Sequence, residues 1–235
     1  DNTYSLTVTA TDAAGNISAA SDALSITIDA TAPGKPSIIT TTSLTNDATP
    51  TIEGIAEAGS TVELFNGNDS LGTTTADATT GIFSITPSSE LSEGLNSLTV
   101  TATDAINNVS AASSALSITV DTTAPAQPAI TTTTTLTSDA TPTIEGTAEA
   151  GSTVTLLSGG VEIGTTTANG DGQFSITTST LADSNYVLTV TATDAAGNIS
   201  AASTALNLTV DTTAPAQPSI TTTTSLTNDS TPAIE

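Results

Sequence analysis

Aspartate and glutamate recur at fixed distances along this chain, and their carboxylates are the side chains in it best suited to chemistry. They stand in T-A-T-D, in I/V-D-x-T-A-P and in G-x-A-E-A-G-S segments, with spacings of 92 and 90 residues. The recurring positions are Asp12, Asp104 and Asp194; Asp29, Asp121 and Asp211; and Glu57 and Glu149. Carboxylate oxygens are the ligands that hard divalent cations prefer. The recurrence therefore indicates a repeated cation site.

The composition excludes several classes of function. Of 235 residues, 24 are acidic and one is basic, Lys35, and the chain has no His and no Cys. Without these residues there is neither a Ser-His-Asp or Cys-His catalytic group nor a thiolate or imidazole metal site. The formal net charge of −23 repels nucleic acid and anionic lipid. We expect a non-enzyme that binds no nucleic acid and does not insert into a membrane.

Internal repeats define the organisation of the chain. T-P-T-I-E at 49–53 returns at 141–145 and, as T-P-A-I-E, at 231–235, with the same spacings of 92 and 90 residues as the acidic positions. The unit is therefore about 90 residues long. The expected domains are the C-terminal part of one repeat at 1–29, complete repeats at 30–120 and 121–210, and the N-terminal part of a further repeat at 211–235.

Each repeat has the pattern of an all-β sandwich. Short apolar segments are separated by Gly, Asn, Asp and Ser at the spacing typical of such a fold. In the segment 186–193, one face holds Tyr186, Leu188, Val190 and Ala192 and the other holds Thr189, Thr191 and Thr193, which predicts a strand with one buried face. Phe83 and Phe174 hold equivalent places and are expected in the two cores. Seven strands in about 90 residues is the immunoglobulin-type count.

Sandwich topology predicts where the acidic side chains meet. Strands alternate in direction, so the start of the first strand, the second turn and the sixth turn fall at one end of a repeat. Three carboxylates gathered there repel one another unless a cation binds them, and Ca²⁺ accepts six to eight oxygens. The expected sets are Asp29, Glu57 and Asp104 before one complete repeat, and Asp121, Glu149 and Asp194 before the next.

The alternative interpretation is that these residues are ordinary turn formers, because Asp and Asn often bond to the backbone of turns. Asn16, Asn108 and Asn198 follow the T-A-T-D aspartates and would either add ligands or shape the turn. Another acidic set, Asp47, Asp139 and Asp229, suits an Asx-type turn at least as well as a ligand site. Glu53, Glu145 and Glu235 are expected on strand surfaces.

The sequence resembles the bacterial immunoglobulin-like repeats of giant surface adhesins and biofilm-associated proteins. T-P-T-I-E-G-T-A-E-A-G-S-T-V-T-L-L, G-Q-F-S-I-T-T, Y-V-L-T-V-T-A-T-D-A-A-G-N-I-S and V-D-T-T-A-P-A-Q-P carry the resemblance, in fixed order. It implies tandem immunoglobulin-like sandwiches in an extended rod, with calcium at the joints between neighbouring repeats. The implied ligands are the two acidic sets above, with Asp12 and Asp211 as their counterparts in the partial repeats. I-N-N at 106–108 departs from the A-G-N pattern.

The resemblance implies a non-catalytic stalk on the outside of a bacterial cell, whose partners are neighbouring repeats of the same chain. Two alternatives stay open. One is lateral or end-to-end assembly with other copies into an extracellular fibre or biofilm matrix. The other is a carbohydrate- or protein-binding module, although two Tyr and three Phe leave few exposed aromatic rings for sugars. A paired-carboxylate hydrolase is disfavoured because the acidic groups repeat rather than gather in one cleft.

Overall fold

A computed structural model of the chain describes residues 1–223 together with 228, 230, 231 and 233. Every regular element in this part is a β-strand, and no element there is a helix of the length and apolarity needed to cross a membrane. The strands are β1 Asn2–Leu6, β2 Leu24–Ile28, β3 Ser37–Ile38, β4 Leu44–Thr45, β5 Ile52–Ile55, β6 Thr61–Asn66, β7 Asp69–Thr75, β8 Ile82–Ile85, β9 Gly94–Thr103, β10 Leu116–Val120, β11 Ala129–Ile130, β12 Leu136–Thr137, β13 Thr143–Thr147, β14 Thr153–Ser158, β15 Val161–Thr167, β16 Gln173–Thr177, β17 Ser184–Thr193 and β18 Leu206–Val210.

The chain divides into two compact units. The first contains Asp1–Ala124 and Ala195–Asn198, and the second contains Pro125–Asp194 and the residues from Ile199 onward. The first unit therefore holds β1 to β10 and the second holds β11 to β18.

Both units contain the same pair of sheets. In the first unit the sheets have the orders β3-β5-β8 and β4-β10-β9-β6-β7, and in the second β11-β13-β16 and β12-β18-β17-β14-β15. The first unit also contains β1 and β2, which form a two-stranded antiparallel sheet. All pairings are antiparallel except those of β4 with β10 and of β12 with β18. The all-β sandwich prediction is confirmed.

The predicted count of seven strands per repeat is wrong, because each complete repeat has eight. The first strand is divided into two short pieces that join different sheets. β3 pairs with β5 in the three-stranded sheet, and β4 pairs in parallel with β10 in the five-stranded sheet. Dividing the strand satisfies backbone hydrogen bonds along one edge of both sheets, which a single strand in one sheet does not do.

The predicted alternation of buried and exposed residues is confirmed. On β17, Leu188, Val190 and Ala192 are fully buried, while the threonines between them face outward and are half-buried. Phe83 and Phe174 are buried in the cores of the first and second units. The cores consist mainly of Ile, Val and Leu from both sheets, so apolar burial holds the two sheets together.

A glycine opposite each phenylalanine makes room for the aromatic ring. Gly146 pairs with Phe174, and a Cβ atom on Gly146 would lie 2.4 Å from the ring and 2.2 Å from the Ala129 carbonyl oxygen. Gly54 has the same relation to Phe83 in the first unit. Both glycines are therefore required by close packing, since a Cβ atom at that distance overlaps its neighbours.

Tyr186 makes a bond of the tyrosine-corner type, and an asparagine stands at the equivalent place in the other repeat. The Tyr186 hydroxyl donates to the carbonyl oxygen of Ala182 at 3.0 Å. At the equivalent place, the buried Asn96 amide donates to the carbonyl oxygen of Ser92 at 2.8 Å, also four residues upstream. The shorter amide thus caps the same backbone carbonyl without an aromatic ring.

Candidate functional site

The structure brings one predicted acidic set to a single cavity inside the first unit. Asp29 follows β2, Glu57 lies between β5 and β6, and Asp104 follows β9. These three residues line a cavity of about 830 Å³, and Asp1 lines it as well. Among the described residues that line it none is basic. Four acidic residues therefore line one space, with no basic side chain among the described residues around it.

Asp104 is held by the turn that follows β9. Its Oδ1 accepts backbone hydrogen bonds from Ile106 at 3.0 Å and from Asn108 at 2.8 Å. Its Oδ2 accepts a bond from the Asn108 amide at 2.8 Å. Desolvation is the largest single influence on the pKa of Asp104 and would raise it, but the hydrogen bonds outweigh it and lower the pKa below its ordinary value. Asp104 is therefore ionised and fixed in orientation at neutral pH.

The I-N-N variant keeps this turn in the same geometry. Asn107 has a φ of 71°, and the equivalent Gly15 and Gly197 have φ values of 89° and 97°. Asparagine tolerates this left-handed conformation better than most residues with a side chain. The sequence departure at 106–108 therefore changes the residue and leaves the turn intact.

Asn108 also connects the turn to the segment that follows β2. Its amide lies 3.3 Å from the Asp29 carbonyl oxygen and 3.4 Å from that of Thr31, and it donates to both. The equivalent Asn198, whose segment belongs to the first unit, donates to the Asp121 carbonyl oxygen at 2.7 Å. The turn-shaping interpretation is thus confirmed for Asn108, and both Asn108 and Asn198 also donate to backbone carbonyl oxygens.

Asp29 and Glu57 are more exposed than Asp104. The Asp29 Oδ1 accepts one bond, from the Thr31 backbone at 3.0 Å. Glu57 shapes its turn through its carbonyl oxygen, which accepts bonds from the backbone and the hydroxyl of Ser60 at 3.1 and 2.7 Å. Its carboxylate accepts no hydrogen bond from the described part of the chain. Both residues line the cavity, and each carboxylate has at least one oxygen that accepts no hydrogen bond from the described part of the chain.

These donors fit a hard cation in chemistry but are not gathered into a coordination group. The side-chain donors of Asp29, Glu57 and Asp104 are carboxylate oxygens, the ligand type that Ca²⁺ takes. Among the described residues, however, no three acidic side chains lie close enough together to hold a metal ion. The assignment of Asp29, Glu57 and Asp104 as metal ligands stays a prediction.

The second predicted set is divided between the units. Asp121 belongs to the first unit, and Glu149 and Asp194 belong to the second. Glu149 repeats the turn of Glu57, with its carbonyl oxygen bonded to the Ser152 hydroxyl at 2.7 Å. The Asp121 Oδ1 accepts a bond from the Thr123 backbone at 3.1 Å. Asp194 follows β17 as Asp104 follows β9. Their convergence stays a prediction.

The counterparts in the partial repeats occupy matching turns. Asp12 accepts hydrogen bonds from the Asn16 amide and the Asn16 backbone at 2.8 and 2.9 Å. The Asn16 side chain and then its backbone lower the pKa of Asp12 below its ordinary value. Asp211 follows β18 and accepts a bond from the Thr213 backbone at 3.0 Å. Neither observation tests a metal role.

The other acidic positions are turn and surface residues. The Asp47 Oδ1 accepts bonds from the backbone and hydroxyl of Thr49 at 2.8 and 3.1 Å, and Asp139 does the same with Thr141. The Asx-type interpretation of these two is confirmed. Glu53 and Glu145 are exposed on strands, as expected. Asp229 and Glu235 lie outside the described residues.

Sequence reasoning missed one recurring acidic position, at Asp1, Glu93 and Asp183. These residues keep the spacing of 92 and 90 residues, and each directly precedes a long strand or its counterpart. The Glu93 carboxylate accepts bonds from the backbone and hydroxyl of Thr122 at 3.2 and 2.9 Å. The alternation of Asp with Glu obscured the repetition, but the spacing alone was enough to find it.

Solved structures resemble the chain over most of its length. Fibronectin(III)-like modules of Clostridium thermocellum CbhA match with 18% identity and a TM-score of 0.49, covering 74% of this chain and 92% of that one. A calcium-stabilised adhesin with which an Antarctic bacterium binds ice matches with 28% identity and a TM-score of 0.42, covering 90% and 57%. A domain of a biofilm-associated protein matches with 26% identity and a TM-score of 0.32, covering 78% and 30%. With TM-scores below 0.5, these similarities decide neither fold nor function.

The family follows from the sequence itself. A comparison with curated proteins gave no significant match. The profile of the bacterial Ig-like domain matches residues 37–122 and again 127–212. These two matches cover well over half of the chain, and both ranges correspond to the paired sheets described above. The chain therefore belongs to the bacterial Ig-like domain family.

Proposed function

We propose that this chain is a non-catalytic extender segment of a large bacterial cell-surface adhesin, stiffened by calcium at the joints between its repeats. Its place would be outside the cell, where it holds another part of the protein away from the surface. Its partners would be the neighbouring repeats of the same chain. Tandem membership of the Ig-like family supports a structural role, because such repeats build length by addition.

One observation carries the calcium part of the proposal. Asp29, Glu57 and Asp104 come from three separate segments of the first unit and line one cavity with Asp1. Among the described residues lining it, no basic side chain offsets their charge. Such an arrangement costs electrostatic energy unless a cation is shared. Turn chemistry explains Asp104 and Asp29, but it does not explain the carboxylate of Glu57.

Asp29, Glu57 and Asp104 would hold one ion, and Asp121, Glu149 and Asp194 would hold the next. Asp12 and Asp211 would serve the adjoining partial repeats. When bound, calcium would supply a multivalent link between oxygens of separate segments. The protein's own contribution is to hold Asp104 ionised and oriented through Asn108 and to keep the Asp29 and Glu57 carboxylates exposed to solvent. Extracellular calcium sites bind at roughly 10⁻⁴ to 10⁻³ M.

Calcium removal tests this proposal directly. We would record small-angle X-ray scattering of the chain in millimolar calcium and then in excess chelator, and measure calcium binding by titration calorimetry. The expected result is a long, stiff profile that becomes shorter and more variable after chelation, with both sandwiches still folded by circular dichroism. Identical profiles without measurable calcium binding would overturn the calcium assignment and leave an array of sandwiches with acidic turns.

A variant assigns the first site. The triple change Asp29→Asn, Glu57→Gln and Asp104→Asn should reduce the calcium bound per chain by one site. The matched control, Asp22→Asn, Asp69→Asn and Glu90→Gln, removes the same charge from exposed residues away from the cavity. If the control loses as much calcium as the test variant, binding is a general effect of charge and the site is wrongly placed.

A further inference from the structure

The acidic position that precedes each penultimate strand lies beside the place where the chain leaves the repeat. The register pairs Gly94 with Val120, Ser184 with Val210, and Asn2 with Ile28. The residue before the first member of each pair therefore lies next to the residues after the second member. Antiparallel pairing thus brings Glu93, Asp183 and Asp1 to the start of the linkers.

In the first unit, Glu93 is bonded to two successive linker residues. Both of its carboxylate oxygens lie 3.2 Å from the Thr122 backbone nitrogen, which donates to them. The hydroxyls of Thr122 and Thr123 donate to it at 2.9 and 3.2 Å. Asp121 completes the arrangement by accepting a bond from the Thr123 backbone at 3.1 Å. Two neighbouring carboxylates thereby hold both threonines.

The same contacts recur after the last strand of the second unit. Asp183 accepts bonds from the Thr212 backbone at 2.9 Å, from the Thr212 hydroxyl at 2.7 Å and from the Thr213 hydroxyl at 2.7 Å. Asp211 accepts a bond from the Thr213 backbone at 3.0 Å. Asp183, although its side chain is shorter, makes the same contacts as Glu93, so the contact does not depend on side-chain length.

The N-terminal copy follows the same plan with one linker threonine. Asp1 accepts a hydrogen bond from the Ala30 backbone at 2.8 Å and another from the Thr31 hydroxyl. Asp29 accepts the bond from the Thr31 backbone. The arrangement is thus present at all three linker starts in the described part of the chain, with Asp or Glu as acceptor.

These bonds have a different role from packing. Glu93 and Asp183 are exposed and belong to no core cluster, yet each accepts at least three hydrogen bonds. Hydrogen bonds to a charged acceptor are stronger than neutral ones, and several bonds on one carboxylate restrict the backbone that donates them. Their donors lie beyond the last strand, where no sheet partner otherwise fixes the chain.

We propose that Asp1, Glu93 and Asp183 form a linker latch, a carboxylate that fixes the first residues after each repeat and so sets the direction in which the chain leaves the sandwich. The latch acts within a repeat and needs no cation. It goes beyond the calcium proposal, because it holds the linker before any ion binds. In an array, it would limit the angles open to the next repeat even at low calcium.

The test measures linker order in the full chain in excess chelator, so that calcium binding does not enter. Glu93→Ala removes the acceptor, and Glu93→Gln keeps its shape without the charge. Glu90→Ala is the matched control, since Glu90 is exposed, lies three residues upstream and accepts no hydrogen bond from the described residues. The readouts are amide hydrogen exchange of Thr122 and the ¹⁵N order parameters of Thr122 and Thr123.

In Glu93→Ala we expect Thr122 to exchange about tenfold faster or more, with lower order parameters at both threonines. Glu93→Gln should lie between this variant and the parent, and Glu90→Ala should match the parent. The Thr119 amide donates to the carbonyl oxygen of Ser43, which directly precedes β4, and it should keep its protection from hydrogen exchange. Unchanged exchange at Thr122 would overturn the latch. An equal loss at Thr119 would also overturn it, because Glu93 would then stabilise the fold as a whole.

Discussion

Single residues in the turns decide how each acidic side chain is presented. Asp104 accepts its bonds only if the chain after it turns back within four residues, and this requires a left-handed residue at 107. Glycine supplies that conformation in two copies of the turn and Asn107 supplies it in the third. The position therefore tolerates a change of residue while the backbone angle is kept.

Changing Asn107 to Ala should destabilise the first unit by about 1 kcal/mol, because alanine gains nothing from the left-handed conformation and is strained in it. Asn107→Gly should be at least as stable as the parent, since glycine takes this angle in the other copies. Urea denaturation followed by circular dichroism measures both. Equal stability of the alanine and glycine variants would contradict the assigned backbone conformation.

Asp77 should make the stability of the first unit depend on pH. Backbone bonds from Thr80 and Thr79 hold the pKa of Asp77 below its ordinary value of 3.8. The folded pKa is thus lower than the unfolded one, so this contribution is complete above about pH 5 and is lost as the pH falls through 3.8 and below.

The measurement is the melting temperature between about pH 5 and pH 2.5 for the parent and for Asp77→Asn. The difference between them should shrink as the pH falls, because protonation removes the advantage of the charged acceptor. The second unit supplies a natural comparison, since Asn169 holds the equivalent turn through bonds from Asp171 and Gln173. A difference that is constant with pH would show that the charge of Asp77 contributes nothing.

At the scale of elements, the sandwich depends on close approach between strands in the three-stranded sheet. Gly146 on β13 faces Phe174 on β16, and the ring occupies the space where a Cβ atom would be. The adjacent Ala129 carbonyl belongs to the backbone of β11 and cannot turn away. Packing of the aromatic anchor thus fixes both the residue type and the spacing of three strands.

Gly146→Ala should destabilise the second unit by roughly 1–3 kcal/mol through overpacking. Calorimetric unfolding of the full chain measures this loss as a lower melting temperature of one transition. Gly170→Ala serves as the control, because its Cβ would contact no atom within 4 Å and its backbone is not left-handed. If both variants melt at the same temperature, the ring does not fill the space above Gly146.

At the scale of the whole molecule, the charge imbalance opposes folding. A formal net charge of −23 on 235 residues, with a single Lys, leaves the acidic groups almost without opposite charge. Repulsion among exposed carboxylates is weakened by salt, and the screening length falls from about 30 Å at 0.01 M to about 8 Å at 0.15 M. Stability should therefore depend on ionic strength even without a specific ion.

Raising NaCl from about 0.01 to 0.15 M in chelator should increase the melting temperature of both units. If specific sites exist, calcium added at constant ionic strength should then raise the melting temperature further. The control variant with Asp22→Asn, Asp69→Asn and Glu90→Gln should respond to calcium as the parent does. A melting temperature that falls or stays constant with NaCl would show that repulsion among the carboxylates is too weak to matter.

The sequence by itself determined the repeat, the alternation along strands, the buried aromatic positions and the place of the recurring T-A-T-D, V-D-T-T-A-P and A-E-A-G-S acidic residues relative to the strands. Each of these follows from local rules, since side chains alternate along a strand and Asp, Asn and Gly concentrate in turns. Asp104 after β9 and Glu57 in the β5–β6 turn are examples. Repetition strengthened each such inference because the two or three copies of each segment agreed.

Only the tertiary structure decided which groups meet. The division of the first strand into β3 and β4 depends on β10, more than 70 residues away, as the partner of β4. Asn96 takes over the backbone bond of a tyrosine although the two residues differ in type. Glu93 bonds to Thr122 and Thr123, which are distant from it in sequence. Local patterns specify where a donor or acceptor stands, but its partner is set by how the sheets pair.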